Sequence, residues 1–151
     1  MSNPAVDYAE LLREAVKQAK ASAPRAVDDL FRCASQAAEA VDGVTRGAAA
    51  LELVPVNQDD NARPTYQLQL RKVASDAPAS DLGVYSVAPS GYPIQYWYWR
   101  SAWEEHPEKP GQQYLNSGDL EDSFKWVVSS PESRLVVLVT FFQQQEGTSP
   151  Q

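Results

Sequence analysis

The side chains with the widest range of chemistry in this sequence lie close together, between residues 96 and 106. His106 is the only histidine of the 151 residues, and Glu104 and Glu105 precede it directly. An imidazole beside carboxylates can exchange protons near neutral pH or ligate a divalent metal ion. A metal site normally needs further histidine or cysteine ligands at suitable spacing, and none accompanies His106. We therefore expect a surface-loop histidine, with no metal ion and no cofactor.

Aromatic side chains directly precede this acidic group. Residues 92–103 hold three of the four tryptophans and three of the seven tyrosines. Tryptophan, tyrosine and arginine are the usual anchors of protein interfaces, although aromatic rings equally fill cores. The candidate residues for binding a protein or a ligand are Tyr96, Trp97, Trp99, Arg100, Trp103, Glu104 and His106.

Other catalytic chemistry is not indicated by the sequence. Cys33 is the only cysteine, and it lies in an apolar helical pattern where a thiol is expected to pack as a small hydrophobe. Neither a Gly-x-Ser-x-Gly turn nor a phosphate-binding glycine motif occurs. We assign no catalytic residue, and the sequence favours binding over catalysis.

Charge and composition restrict the partners and the compartment. Lys and Arg total 13 against 20 Asp and Glu, for a net charge of -7, and no basic cluster is visible. Nucleic-acid binding is therefore disfavoured. A single cysteine forms no intramolecular disulfide, and no apolar run approaches the ~18 residues of a membrane helix. These features predict a cytoplasmic protein that does not bind membranes.

Two amphipathic helical patterns occupy the first part of the chain. One apolar stripe comprises Tyr8, Leu11, Leu12, Ala15, Val16 and Ala19. A second stripe follows Pro24, through Val27, Leu30, Phe31, Ala34, Ala38 and Val41. Proline lacks the amide donor needed inside a helix but fits a first turn. The two stripes therefore form either a helical hairpin or one kinked helix.

The rest of the chain is predicted to alternate strands with loops and one short helix. Apolar and polar residues alternate with the period of a strand. The predicted strands are residues 51–56, 65–73, 82–87, 92–99 and 134–142. A loop covers residues 104–118, a short helix begins at Ser117 to Asp119, and a flexible polar tail covers residues 143–151.

These elements predict a single α+β domain, residues 1–142, in the order α-α-β-β-β-β-α-β. The N-terminal helical pair, or kinked helix, packs on a mainly antiparallel five-stranded sheet. Strands 92–99 and 134–142 are apolar on both faces. Such strands need cover on both sides, which predicts that they are neighbours at the centre of the sheet.

Two functional hypotheses fit these observations. The first is a non-catalytic protein-binding module, acting as an adaptor, chaperone or inhibitor-like subunit through an aromatic sheet face. Its size, acidity and element order are similar to those of immunity proteins and secretion chaperones, at the level of fold alone. Its partner is another protein or a second copy of this chain. The alternative is a small-molecule-binding domain or small enzyme with a pocket between the sheet and loop 104–118.

Overall fold

One long helix dominates the computed structural model, which describes residues 5–56, 64–98, 104–105 and 111–147. The elements in chain order are α1 (Tyr8–Thr45), β1 (Ala49–Pro55), β2 (Thr65–Lys72), β3 (Ser80–Ala88), β4 (Gly91–Trp97), β5 (Gln112–Tyr114), α2 (Ser117–Ser129) and α3 (Arg134–Gly147). The sheet has the order β1-β2-β3-β4-β5, and every neighbouring pair is antiparallel. The predicted α+β class with a five-stranded antiparallel sheet is confirmed.

Helix α1 settles the choice between a helical pair and one helix. It begins after Asp7, whose side chain accepts a hydrogen bond from the Glu10 amide at 3.1 Å. The helix then continues through Pro24 and ends at Thr45. Its 38 residues span about 57 Å at 1.5 Å per residue. Both predicted apolar stripes therefore belong to one continuous helix.

The three helices form a single layer on one face of the sheet. Helix α1 contacts β1, β3 and β4, α2 contacts α1 and β5, and α3 contacts α1 and α2. Alternate residues of the strands face this layer and form the core with it. The largest fully buried core side chains are Leu30, Leu68, Leu70, Tyr85, Ile94 and Leu120.

The prediction that residues 134–142 form the last strand is wrong, because they lie in α3. A short apolar run has no polar face, so its periodicity does not distinguish a buried strand from a buried helix. The Ser133 hydroxyl oxygen accepts a hydrogen bond from the Val136 amide at 3.2 Å and caps the helix. The side chains that pack on the core have helical spacing, namely Leu135, Leu138, Val139 and Phe142. The predicted tail from Gln143 is helical as far as Gly147.

The aromatic strand, predicted at residues 92–99 and observed as β4, also differs from the prediction in its position in the sheet. The fifth strand is β5, which is three residues long and lies within the predicted loop 104–118. It pairs with residues 94–96 of β4. Strand β4 therefore lies between β3 and β5, one place from the edge of the sheet, and not beside residues 134–142. So short a strand carries too little alternating pattern to be recognised in a sequence.

Gly91 marks the place where the start of β4 touches α1. Its φ is 100°, and an added Cβ would lie 2.8 Å from the Ser22 carbonyl oxygen. An L side chain rarely adopts this backbone conformation, and the neighbouring atom is main chain that cannot rotate away. Glycine at position 91 therefore permits a close approach of the sheet to the helix.

We predict that Gly91→Ala lowers the free energy of unfolding by about 1–3 kcal/mol, through backbone strain and the clash with Ser22. Gly43→Ala is the matched control, because Gly43 is helical and has nothing within 4 Å of an added Cβ. It should raise stability by about 1 kcal/mol. Urea denaturation of both variants measures these changes. A Gly91→Ala protein as stable as the wild type would contradict the close approach.

Candidate functional site

The side chains in the described part of the aromatic strand point alternately to the two faces of the sheet. Tyr92, Ile94 and Tyr96 point to the helical layer, where Ile94 is fully buried and both tyrosines pack against the core. Trp97 points to the opposite face. The predicted site residues Tyr96 and Trp97 therefore lie on opposite sides of the sheet.

Tyr96 is held within a cluster of rings. Its hydroxyl donates a hydrogen bond to the Leu82 carbonyl oxygen at 2.8 Å, and its ring lies so close to Gly83 that an added Cβ there would overlap the ring. Its ring centroid is 4.8 Å from that of Tyr85 and 6.3 Å from that of Tyr114. The Tyr96 ring therefore contributes to the packing of β3, β4 and β5.

Tyr92 joins the same strand to α1. Its hydroxyl donates a hydrogen bond to Asp29 Oδ2 at 2.7 Å, and Asp29 Oδ1 forms an ion pair with Arg32 Nη1 at 3.2 Å. A phenol bonded to a carboxylate forms a charge-assisted hydrogen bond, which is stronger than a neutral one. This contact fixes the position of α1 over β4.

Trp97 is only 5% exposed, although it lies on the face away from the helices. It pairs with Val84 of β3, which is fully buried on the same face. Tyr98 is 41% exposed and Glu104 is exposed. The remaining predicted site residues lie outside the described residues: Trp99, Arg100, Trp103 and His106.

Burial changes the ionisation of four tyrosines. Desolvation raises the pKa of Tyr85, Tyr96 and Tyr114 above the usual tyrosine value. The pKa of Tyr92 is raised first by desolvation and then by its hydrogen bond to the Asp29 carboxylate. These hydroxyls therefore stay protonated in the folded protein beyond the pH at which an exposed tyrosine ionises.

Several large apolar side chains are exposed on the first half of α1. We call residues 8–25 the α1 extension. Throughout residues 5–25 the side chains are exposed, apart from Ala19 and Ala23, which are half-buried. Tyr8 is 77% exposed, Leu12 65% and Val16 43%. The extension thus leaves large apolar side chains in water.

These side chains repeat the buried face of α1. The helix buries Ala26, Leu30, Cys33, Ala34, Ala37 and Val41 in the core. Residues about five turns, or ~18 residues, earlier lie on the same side of a helix. Those positions hold Tyr8, Leu12, Ala15, Val16, Ala19 and Ala23, all apolar, and we call them the extension stripe. The extension therefore presents a face built like the one that packs on the sheet, but the sheet does not reach it.

Simple dimensions explain why the extension is uncovered. Strands of seven to nine residues are about 23–30 Å long, and five of them are about 24 Å across. A helix of about 57 Å must overhang a sheet of that size. The sequence pattern predicts a helical apolar stripe from Tyr8 to Ala19, with Leu11 among its members, and predicts that this stripe is packed. The length of the combined helix is the signal that could have revealed its exposure.

Several surface depressions adjoin the helical layer, and two of them lie between helices. A cleft of about 380 Å³ between α1 and α2 includes Cys33, Glu121 and Lys125 among its lining. A groove of about 230 Å³ between α1, α2 and α3 is mostly apolar. Desolvation raises the pKa of the Cys33 thiol, so the thiolate, its nucleophilic form, is disfavoured. The surroundings of Cys33 in this cleft therefore do not activate its thiol as a nucleophile.

The described residues contain neither a metal-binding cluster nor a membrane-spanning helix. No group of three or more His, Cys, Asp or Glu side chains there is arranged to hold a metal ion. No helix in those ranges combines the length and the apolar character that crossing a bilayer requires.

Comparison with protein-family models, with curated proteins and with solved structures finds no match for this chain.

We predict that stability falls steeply above pH 10, the ordinary tyrosine pKa. Below that pH the four tyrosines are protonated in both states. Above it the unfolded chain loses protons that the folded protein retains, so the free energy of unfolding decreases. Tyr96→Phe should make this decrease shallower by up to about 1.4 kcal/mol per pH unit. Urea unfolding between pH 8 and 11 measures it, and an identical slope in the variant would contradict the burial of this hydroxyl.

Proposed function

We propose that this protein is a protein-binding module that docks a helix of another protein on the extension stripe. The surface differs from the aromatic sheet face favoured by the sequence. What carries the proposal is the exposure of Leu12, Val16 and Tyr8 on the same side of the helix that is buried farther along.

Exposure on this scale supports association. Burying a leucine, valine or tyrosine side chain stabilises a contact by roughly 1.5–3 kcal/mol relative to leaving it in water. Three such side chains within a projecting helix of about five turns exceed the scattered single apolar residues that are normal on a surface. The extension is therefore suited to a partner that lies along it.

The spacing of the stripe supports a helix as that partner. Leu12, Val16, Ala19 and Ala23 follow one another at alternating intervals of four and three residues. This interval is the one at which two helices meet along a seam. The alanines shorten the distance at which a second helix axis can lie. A helix can thus contact the whole length of the stripe.

We also propose a compartment and a role for the protein. Cys33 is a buried free thiol and the sole cysteine, which supports a reducing compartment such as the cytoplasm. A rigid body that carries one projecting helix suits an adaptor, chaperone or inhibitor-like subunit.

Site-specific photo-crosslinking in the cells of origin tests this function. We predict that p-benzoylphenylalanine in place of Leu12 gives a discrete adduct with another protein. The partner peptide in that adduct, read by mass spectrometry, should carry apolar residues at intervals of three and four. The stripe variant Val16→Asp should abolish the adduct.

The matched control places the same crosslinker at Glu14, on the opposite side of the same helix. We expect no adduct there. Equal adducts from positions 12 and 14, or none from position 12, would contradict docking on the stripe.

A further inference from the structure

We propose that the docked helix is acidic along the side that lies against Arg13, Lys17 and Lys20. This inference rests on the proposed function and specifies the chemistry of the partner. The partner is an amphipathic helix with large aliphatic residues on its apolar face and Asp or Glu beside that face.

The two borders of the extension stripe differ in charge. At 3.6 residues per turn, Arg13 and Lys20 fall along one border, and Lys17 lies next to them on the same side, farther from the stripe. The opposite border holds Leu11, Gln18 and Ser22, which are uncharged. The extension thus contains a basic border within a chain whose net charge is -7.

Part of the positive charge on this side of the helix is not paired with a carboxylate in the described part of the chain. Arg13 Nη2 pairs with Glu10 Oε2 at 2.8 Å. Among the described residues, Lys17 and Lys20 have no carboxylate within ion-pair distance. Both lysines are exposed. Carboxylates on a docked helix would therefore meet the unpaired ammonium group of Lys20 beside the apolar contact, and that of Lys17 farther out.

A second copy of this chain fits the border poorly. When two identical helices pair antiparallel, equal borders face each other, so Arg13 and Lys20 would meet their own counterparts. When they pair parallel, the basic border meets the uncharged one. Neither arrangement provides opposite charges, whereas an acidic helix does.

A membrane surface also fits less well than a protein. An anionic bilayer would attract the basic border, but it would repel the acidic remainder of the molecule. Half of the stripe consists of alanine, which gives little area to insert among lipid chains and much room for a helix.

Two synthetic helical peptides, about as long as the extension, test the inference by fluorescence anisotropy. Both carry leucine at intervals of three and four, and they differ only in having glutamate or lysine beside that stripe. We expect the glutamate peptide to bind the full-length protein at least about tenfold more tightly at low salt. The difference should shrink at high salt, because ions screen exposed charges.

Two variants of the protein locate the contact. Lys17→Glu with Lys20→Glu should invert the preference between the peptides. Leu12→Gln should remove binding of both, whereas the control Ala21→Gln, on the opposite side of the helix, should leave it unchanged. All four positions are exposed, so the fold is retained.

The outcomes separate the two proposals. Equal affinity for both peptides, still dependent on Leu12, would overturn the acidic partner and leave helix docking standing. Failure of both peptides to bind would overturn docking itself. A dimer of the protein alone on sizing with light scattering, lost in Leu12→Gln, would assign the stripe to a second copy. Binding of anionic vesicles with neither peptide bound would assign it to a membrane.

Discussion

The packing of one face of α1 across the antiparallel sheet is the contact on which the rest of the structure depends. Ala26, Leu30 and Ala34 are nearly or fully buried there, and small side chains let the helix lie close to the strands. The cover ends near Ser22, where Gly91 allows the sheet to approach the helix closely. Because the apolar spacing continues beyond that point, the same helix is a core element in its second half and an open surface in its first.

The tyrosines of β3, β4 and β5 serve the covered half of this arrangement. Tyr85 lies between the Tyr96 ring and the Phe124 ring of α2, with centroids 4.8 and 5.7 Å away. Tyr92 bonds to Asp29 on α1 at 2.7 Å. These rings join the sheet to two helices, and their buried hydroxyls favour the protonated form. A sheet and helical layer stabilised in this way can carry the projecting extension of α1 without a bound partner.

Local periodicity predicted most of the secondary structure, but it did not predict which elements pack against one another. Alternation placed four of the five strands, and the N-terminal stripes placed α1, because both patterns reflect which side of an element is buried. Residues 134–142 have no polar side, so their state depends on packing against α1 and α2. The stripe of the extension was visible in the sequence, but its exposure depends on how far the sheet reaches. That distance is a tertiary property, which only the dimensions of the whole domain reveal.

Thiol reactivity at two equivalent positions of α1 tests most directly whether the cover of this helix ends where the sheet ends. Ala15 lies about five turns before Cys33, on the same side of the helix. In the purified protein, Ala15→Cys in a Cys33→Ala background should react with Ellman's reagent as fast as an exposed thiol. Native Cys33, 3% exposed, should react only on unfolding. Equal protection of the two thiols would contradict an uncovered extension.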